Sequence, residues 1–308
     1  MTLRFPTWSS ASYAKCIVSL VLVCGNVSYA HAGDETLTTA DFGVITSEIE
    51  KTVEKYGRES TCVVFDFDNT LLAMDSDLGS DQWFEWQNGL LKTAPNSEYL
   101  VANNFDGLLR VQGVIFSLSR MHPPEERIPE FIEKIQAKCD SMIVMTARGD
   151  AFRSDTIDEL RRCKVDFARS AIPITEVRGS FFPFDPAAPE TRGLSSAQVA
   201  AFGLTELRTV SYSDGVYMVQ GQHRGAMLKC LLGRSERKYK AIVHVDDQSK
   251  YSQQIVELLG NSYAVRGLTY TRESGRMARF RSSDKSTVIS QWRGLEHVIK
   301  NTFDNALD

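Results

Sequence analysis

The sequence predicts an α/β protein, a parallel sheet wrapped by helices with a mostly helical cap inserted over one end. Three observations predict it. Apolar, β-branched runs alternate with segments of helical period. Three of those runs end on polar side chains, as strands of an open parallel sheet do where their ends line a crevice. About fifty residues, 73 to about 122, lie between the first two strand-end motifs, too many for a simple connection.

The N-terminus comes first. Arg4 and Lys15 are the only Lys, Arg, Asp or Glu side chains before Asp34, and between them and it lies "CIVSLVLVCGNVSYA". That stretch is short against the about 20 residues of a membrane span. It ends in Ala30-His31-Ala32, small residues at the two positions a signal peptidase reads. Residues 1–32 are therefore expected to be a removed secretory signal, with one domain over 33–308 and no membrane span in the mature chain. The expected location is periplasmic or secreted.

In the mature chain, Ile45, Ile49, Val53 and Tyr56 recur at helical spacing and Gly57 ends the run. "TCVVFD" follows as a strand. Residues 73 to about 122 form the cap, where Trp83, Trp86 and Leu90 share a helical face that serves as core or as a lid over substrate. "PPEERIPEFIEKIQAKC" reads as a helix with proline and acidic residues at its start, and it leads into the strand "SMIVMT". The helix "FRSDTIDELRRC" and a short strand "VDFA" come next, then the Pro-rich loop "GSFFPFDPAAPETRG". An Asp-Gly hairpin turn lies in "SYSDGVYMV". The strand "YKAIVHVDD" and the helix "SKYSQQIVELLG" complete the alternation.

Composition narrows the function. The net formal charge of −4 becomes more negative once Arg4 and Lys15 are removed, which disfavours nucleic acid and anionic membrane as partners. Cys62, Cys139, Cys163 and Cys230 are too few for a disulfide scaffold, and no CxxC pair supports zinc. Cys139 and Cys163 each close a helix before a strand. The expectation is two buried free thiols, with a Cys139 to Cys163 bond as the alternative. Cys62 and Cys230 are expected to stay reduced.

The chemistry concentrates at strand ends. Side chains two apart on a strand point to one side, so Asp66 and Asp68 face the crevice and Phe67 faces away. Asn69 turns the chain and Thr70 bonds back to fix the turn. Paired carboxylates without sulfur point to a hard divalent cation, magnesium. "SMIVMT" ends in Thr146, followed by Ala-Arg-Gly, and "AIVHVDD" ends in Asp246 and Asp247. Strands flanking the first one would bring all three ends together.

These residues resemble the haloacid dehalogenase-like (HAD) superfamily, whose pattern is a strand with DxDx[TV], a strand ending in Ser or Thr, a Lys or Arg, and a strand with [DG]D. The resemblance runs from Cys62 to about Tyr270, and "LGSDQWFEWQ" is similar to an uncharacterised phosphatase-like bacterial branch. It implies a phosphoric monoester hydrolase. Asp66 would be the nucleophile that forms an aspartyl-phosphate, and Asp68 the acid and then base. Magnesium would be held by Asp66, the main-chain carbonyl of Asp68 and Asp247, with Asp246 either binding it directly or supporting a ligand. Thr146 would bind a phosphoryl oxygen. The family's basic residue falls on Arg224, where a Lys-Gly is common and this chain reads Arg224-Gly225, with Lys229 as the alternative. Arg148 would either reach substrate or cap a helix. The substrate would be a phosphorylated small molecule or a phosphoprotein. Two rival readings are an exported binding protein that keeps the fold without catalysis, and a carbon-halogen dehalogenase.

Overall fold

The computed structural model describes residues 36–175 and 179–303. The expected signal at 1–32 lies outside the described residues. In chain order the elements are β1 (Leu37–Thr39), α1 (Phe42–Tyr56), β2 (Thr61–Phe65), β3 (Ala73–Met74), α2 (Asp81–Thr93), α3 (Phe105–Leu118), β4 (Met121–His122), α4 (Ile128–Gln136) and β5 (Ser141–Thr146). There follow α5 (Arg153–Arg162), β6 (Gly179–Phe181), α6 (Ser196–Ala201), β7 (Val210–Ser213), β8 (Val216–Met218), α7 (Arg224–Leu232) and β9 (Ala241–Asp246). The chain closes with α8 (Ser249–Leu259), β10 (Ala264–Tyr270), α9 (Ser274–Ser282) and α10 (Ser286–Phe303).

Eight strands form one sheet in the order β1-β10-β9-β2-β5-β8-β7-β6. The first six run parallel, and β7 and β6 close the far edge antiparallel. The α/β class read from the sequence is therefore the observed one. Central β2 is buried along its whole length, because alternate residues serve opposite faces. Val63 and Phe65 join the core that holds Phe42, Ile45 and Ile49 of α1 and Ile132 of α4. Cys62 and Val64 join Met227 and Leu231 of α7 and Ile255 of α8. The neighbours of β2 are β9 and β5, so Asp66, Thr146 and Asp246 stand at the same end of three adjacent strands.

Residues 73–122 hold α2 and α3 on a two-stranded ribbon of β3 and β4. The C-terminal helices α9 and α10, which carry no strand-end motif, pack against α2. Trp86 meets Phe280 edge-on with centroids 6.2 Å apart. Trp83 is buried with Val288 and Trp292 in the same core, so this face of α2 is packing rather than a stacking surface. Arg276 joins Asp77 at 3.1 Å and Arg281 joins Glu85 at 3.1 Å. Among the described residues, no helix is long and apolar enough to cross a membrane.

Three local expectations are corrected. "VDFA" is not a strand. Val165 and Phe167 are buried at alternate positions, as in a strand, but the edge of β5 is taken by β8. The Ala168 N–H instead bonds the Asp166 carboxylate, and residues 168–170 form a 3-10 turn beneath the β7-β8 hairpin. There Gly215 (φ 74°) has the Phe167 carbonyl oxygen only 2.6 Å from where a Cβ would stand. The helix before β5 begins at Ile128 with Pro129 in its first turn, later than Pro123 and Pro124 suggest. The loop at 179–193 contributes its first three residues to the sheet edge as β6.

All four described cysteines are buried and unlinked. The Cys139 thiol lies 3.4 Å from the Thr61 carbonyl oxygen, and that of Cys163 lies 3.6 Å from the Met121 carbonyl oxygen.

Candidate active site

The crevice is built from the turn after β2. The Asp66 N–H bonds the Val245 carbonyl at 2.8 Å, so the chain is still locked to β9 at that residue. Asn69 then takes a left-handed conformation (φ 59°), and its N–H bonds the Leu72 carbonyl at 2.8 Å. The Leu71 and Leu72 N–H groups both bond the Phe67 carbonyl, and the Thr70 hydroxyl lies 3.4 Å from Asp66 Oδ2. The loop thus holds Asp66 rigidly, with 3% of its surface exposed.

Arg224 enters from the far side. Helix α7 begins at this residue, and His223 caps it by accepting the Ala226 N–H on Nδ1 at 3.2 Å. The Arg224 Nη1 lies 2.6 Å from Asp66 Oδ1 and 2.6 Å from Asp246 Oδ2. Its guanidinium lies over the Tyr251 ring at 4.0 Å, and its N–H bonds the Gln254 side chain. Against the cost of burial, Asp246 and Asp66 hold this guanidinium above its already high range.

The three carboxylates of Asp66, Asp246 and Asp247 each offer an oxygen within 4.8 Å of the others. Burial pushes Asp66 well above the usual carboxylate range, with Asp246 and Asp68 adding to it and Arg224 opposing. Burial also raises Asp246, with Arg224 opposing. Asp247 is pushed up to about 10 by burial and by its neighbours Asp66 and Asp246. Its Oδ2 is buried without a hydrogen-bond partner. An all-oxygen set of crowded acids with an unpartnered buried oxygen fits a hard divalent cation such as magnesium.

Of the other expected residues, Thr146 ends β5, buried, and accepts the Arg148 N–H on its hydroxyl at 3.2 Å. Arg148 binds Asp68 with two donors, at 2.7 and 3.0 Å, rather than capping a helix. Arg224 Nε is buried without a partner, which suits an oxyanion. Lys229 is not brought here. It lies further along α7, stretched over Gly193, whose lack of a side chain makes room for its Cε.

One residue escaped the sequence reading. Asp81 is the first residue of α2, and burial together with Asp68 and Glu85 pushes it up to about 7, while Arg148 and Arg224 pull the other way. It also adds to the charge that raises Asp247. The cap therefore turns a carboxyl toward the crevice. The signal lay in "LGSDQ", where Ser80 caps a helix and sets Asp81 at its first turn, but the direction of that helix is a tertiary matter.

Comparison with known proteins adds a family without an activity. No curated protein matches the chain. Among solved structures, cytosolic 5'-nucleotidase IIIB bound to cytidine is similar at 12% identity and a TM-score of 0.32, over 84% of this chain and 93% of that one. That likeness is too distant to carry chemistry across. The profile of a family described as "Protein of unknown function (DUF2608)" matches residues 43–305, and the chain belongs to that family.

Proposed function

We propose that the protein is a magnesium-dependent phosphomonoester hydrolase of HAD type that works through an aspartyl-phosphate on Asp66. The observation that carries this reading is the convergence of Asp66, Asp246 and Asp247 with Arg224 at the ends of adjacent parallel strands. Carboxylates packed against an arginine suit a site that must take both a cation and an anion.

In this reading Asp66 attacks phosphorus, an oxygen-phosphorus bond forms on its carboxylate, and the ester bond breaks. Asp68 gives a proton to the leaving oxygen, then takes one from the water that releases phosphate and frees Asp66. Thr146 and Arg224 hold phosphoryl oxygens. Asp66, Asp246, Asp247 and the Asp68 carbonyl would hold magnesium, which when bound supplies the positive charge that lets an anion attack an anion. The substrate is a phosphorylated small molecule or phosphoprotein, met after export through residues 1–32.

Turnover of p-nitrophenyl phosphate, with magnesium and after chelation, tests the reading. Magnesium-dependent release of phosphate is expected. A well-folded protein that releases none from this or from a panel of phosphomonoesters would favour the binding-protein alternative.

A further inference from the structure

Asp68 is held differently from Asp66. Arg148 donates from Nη2 to its Oδ1 at 2.7 Å and from Nε to its Oδ2 at 3.0 Å, so one planar fork fixes the plane of the whole carboxyl. The fork is itself clamped. Phe116 of α3 lies 3.7 Å from the guanidinium carbon, and the rings of Phe67 and Phe152 lie at 4.8 and 5.9 Å. Arg148 is anchored along the backbone too, by its N–H to Thr146 and by its carbonyl, which accepts the Gln220 N–H at 3.1 Å.

The end of α3 that carries Phe116, and the chain just after it, are tied to α5. Ser117 bonds Asp155, the Met121 N–H bonds Glu159 Oε2 at 2.7 Å, and Arg120 pairs with Glu159 at 3.3 Å. A continuous set of contacts thus runs from the cap through Phe116 and Arg148 to Asp68.

Resting on the phosphatase reading, we propose that Arg148 is a positioning residue that aims the Asp68 carboxyl at the leaving oxygen, and that Phe116 couples this aim to the cap. Arginine suits the task where lysine would not, since only the guanidinium fixes both oxygens in one plane and stacks on an aromatic ring. The consequence concerns the leaving group. An ester whose leaving oxygen needs a proton depends on Asp68 being aimed, whereas p-nitrophenolate departs with little help.

The test compares p-nitrophenyl phosphate with an alkyl ester, glycerol 2-phosphate, in wild type, Arg148→Lys and Phe116→Leu. Arg148→Lys should lower kcat on the alkyl ester by roughly 10-fold to 100-fold, the scale of a misaimed group, with kcat on the aryl ester changed less than about threefold. Phe116→Leu should give a smaller loss of the same selective kind, with thermal melting showing that it is folded. Equal losses on both esters, or none on the alkyl ester, would overturn the assignment while leaving the phosphatase reading intact. A wild-type protein inactive on both esters would overturn that reading and the assignment together.

Discussion

Arg224 ties the fold to the proposed chemistry. Buried between Asp66 and Asp246, it neutralises charges that would otherwise face each other without water. Truncation to Ala should cost about 3–5 kcal/mol, as when one member of a buried pair is removed. The loss should be greater at pH 8 than at pH 5, because the stranded carboxyls can be protonated in acid. Urea denaturation at the two pH values measures it, and an unchanged midpoint would refute the pairing. The strand-end acids and Arg224 were legible because each sits beside a turn or strand signal. Asp81 was not, since nothing local says which way a cap helix points. Asp81→Asn removes a negative charge opposite Arg148 and Arg224, so KM for an anionic ester should fall severalfold. Steady-state kinetics at pH 8, where Asp81 with a pKa of about 7 is mostly ionised, provide the check.

Among the elements, those whose apolar pattern is satisfied by a single sheet were legible. β5 and α8 fall on the residues their patterns mark, as does the hairpin turn at Asp214 and Gly215, both at positive φ. "VDFA" misled because alternating burial is not a hydrogen-bond partner. Its side chains are covered, but the neighbouring strand edge was already occupied. α9 and α10 were missed because their apolar side chains Phe280, Val288 and Trp292 pack with the cap residues Trp83 and Trp86, a tertiary contact that no local pattern marks. The same element-level packing fixes Arg224. A Cβ on Gly225 would stand well inside contact distance of the Gln254 carbonyl of α8. Gly225→Ala should therefore destabilise by about 1–3 kcal/mol and shift Arg224, lowering kcat more than the melting temperature alone would suggest. A variant with native melting and native kcat would contradict that tight approach.

Over the whole molecule, the crowded acids set a pH dependence. Asp81 and Asp247 have folded values raised to about 7 and about 10, above the unfolded ones. The unfolded chain ionises these groups first, so their contribution to stability is full below the unfolded values and is lost as pH rises through the folded ones. The protein without divalent ions should melt lower at pH 8.5 than at pH 6.5. Buried His244, held neutral by burial and by Arg224, acts in the opposite sense but chiefly below about pH 6.5, where the unfolded imidazole gains a proton. Magnesium should raise the melting temperature most at pH 8.5, since it binds the ionised carboxylates of the folded state.

The central claim is that Asp66 carries the phosphoryl group, and trapping that group tests it most directly. Asp68→Asn removes the base for the second step, while p-nitrophenolate needs little help to leave in the first. The variant incubated with magnesium and p-nitrophenyl phosphate, quenched in acid and mapped by peptide mass, should carry one phosphoryl group on Asp66. Adding Asp66→Asn should abolish it without unfolding the chain. Hydrolysis that proceeds with Asp66 replaced, or a label found on another residue, would contradict the account.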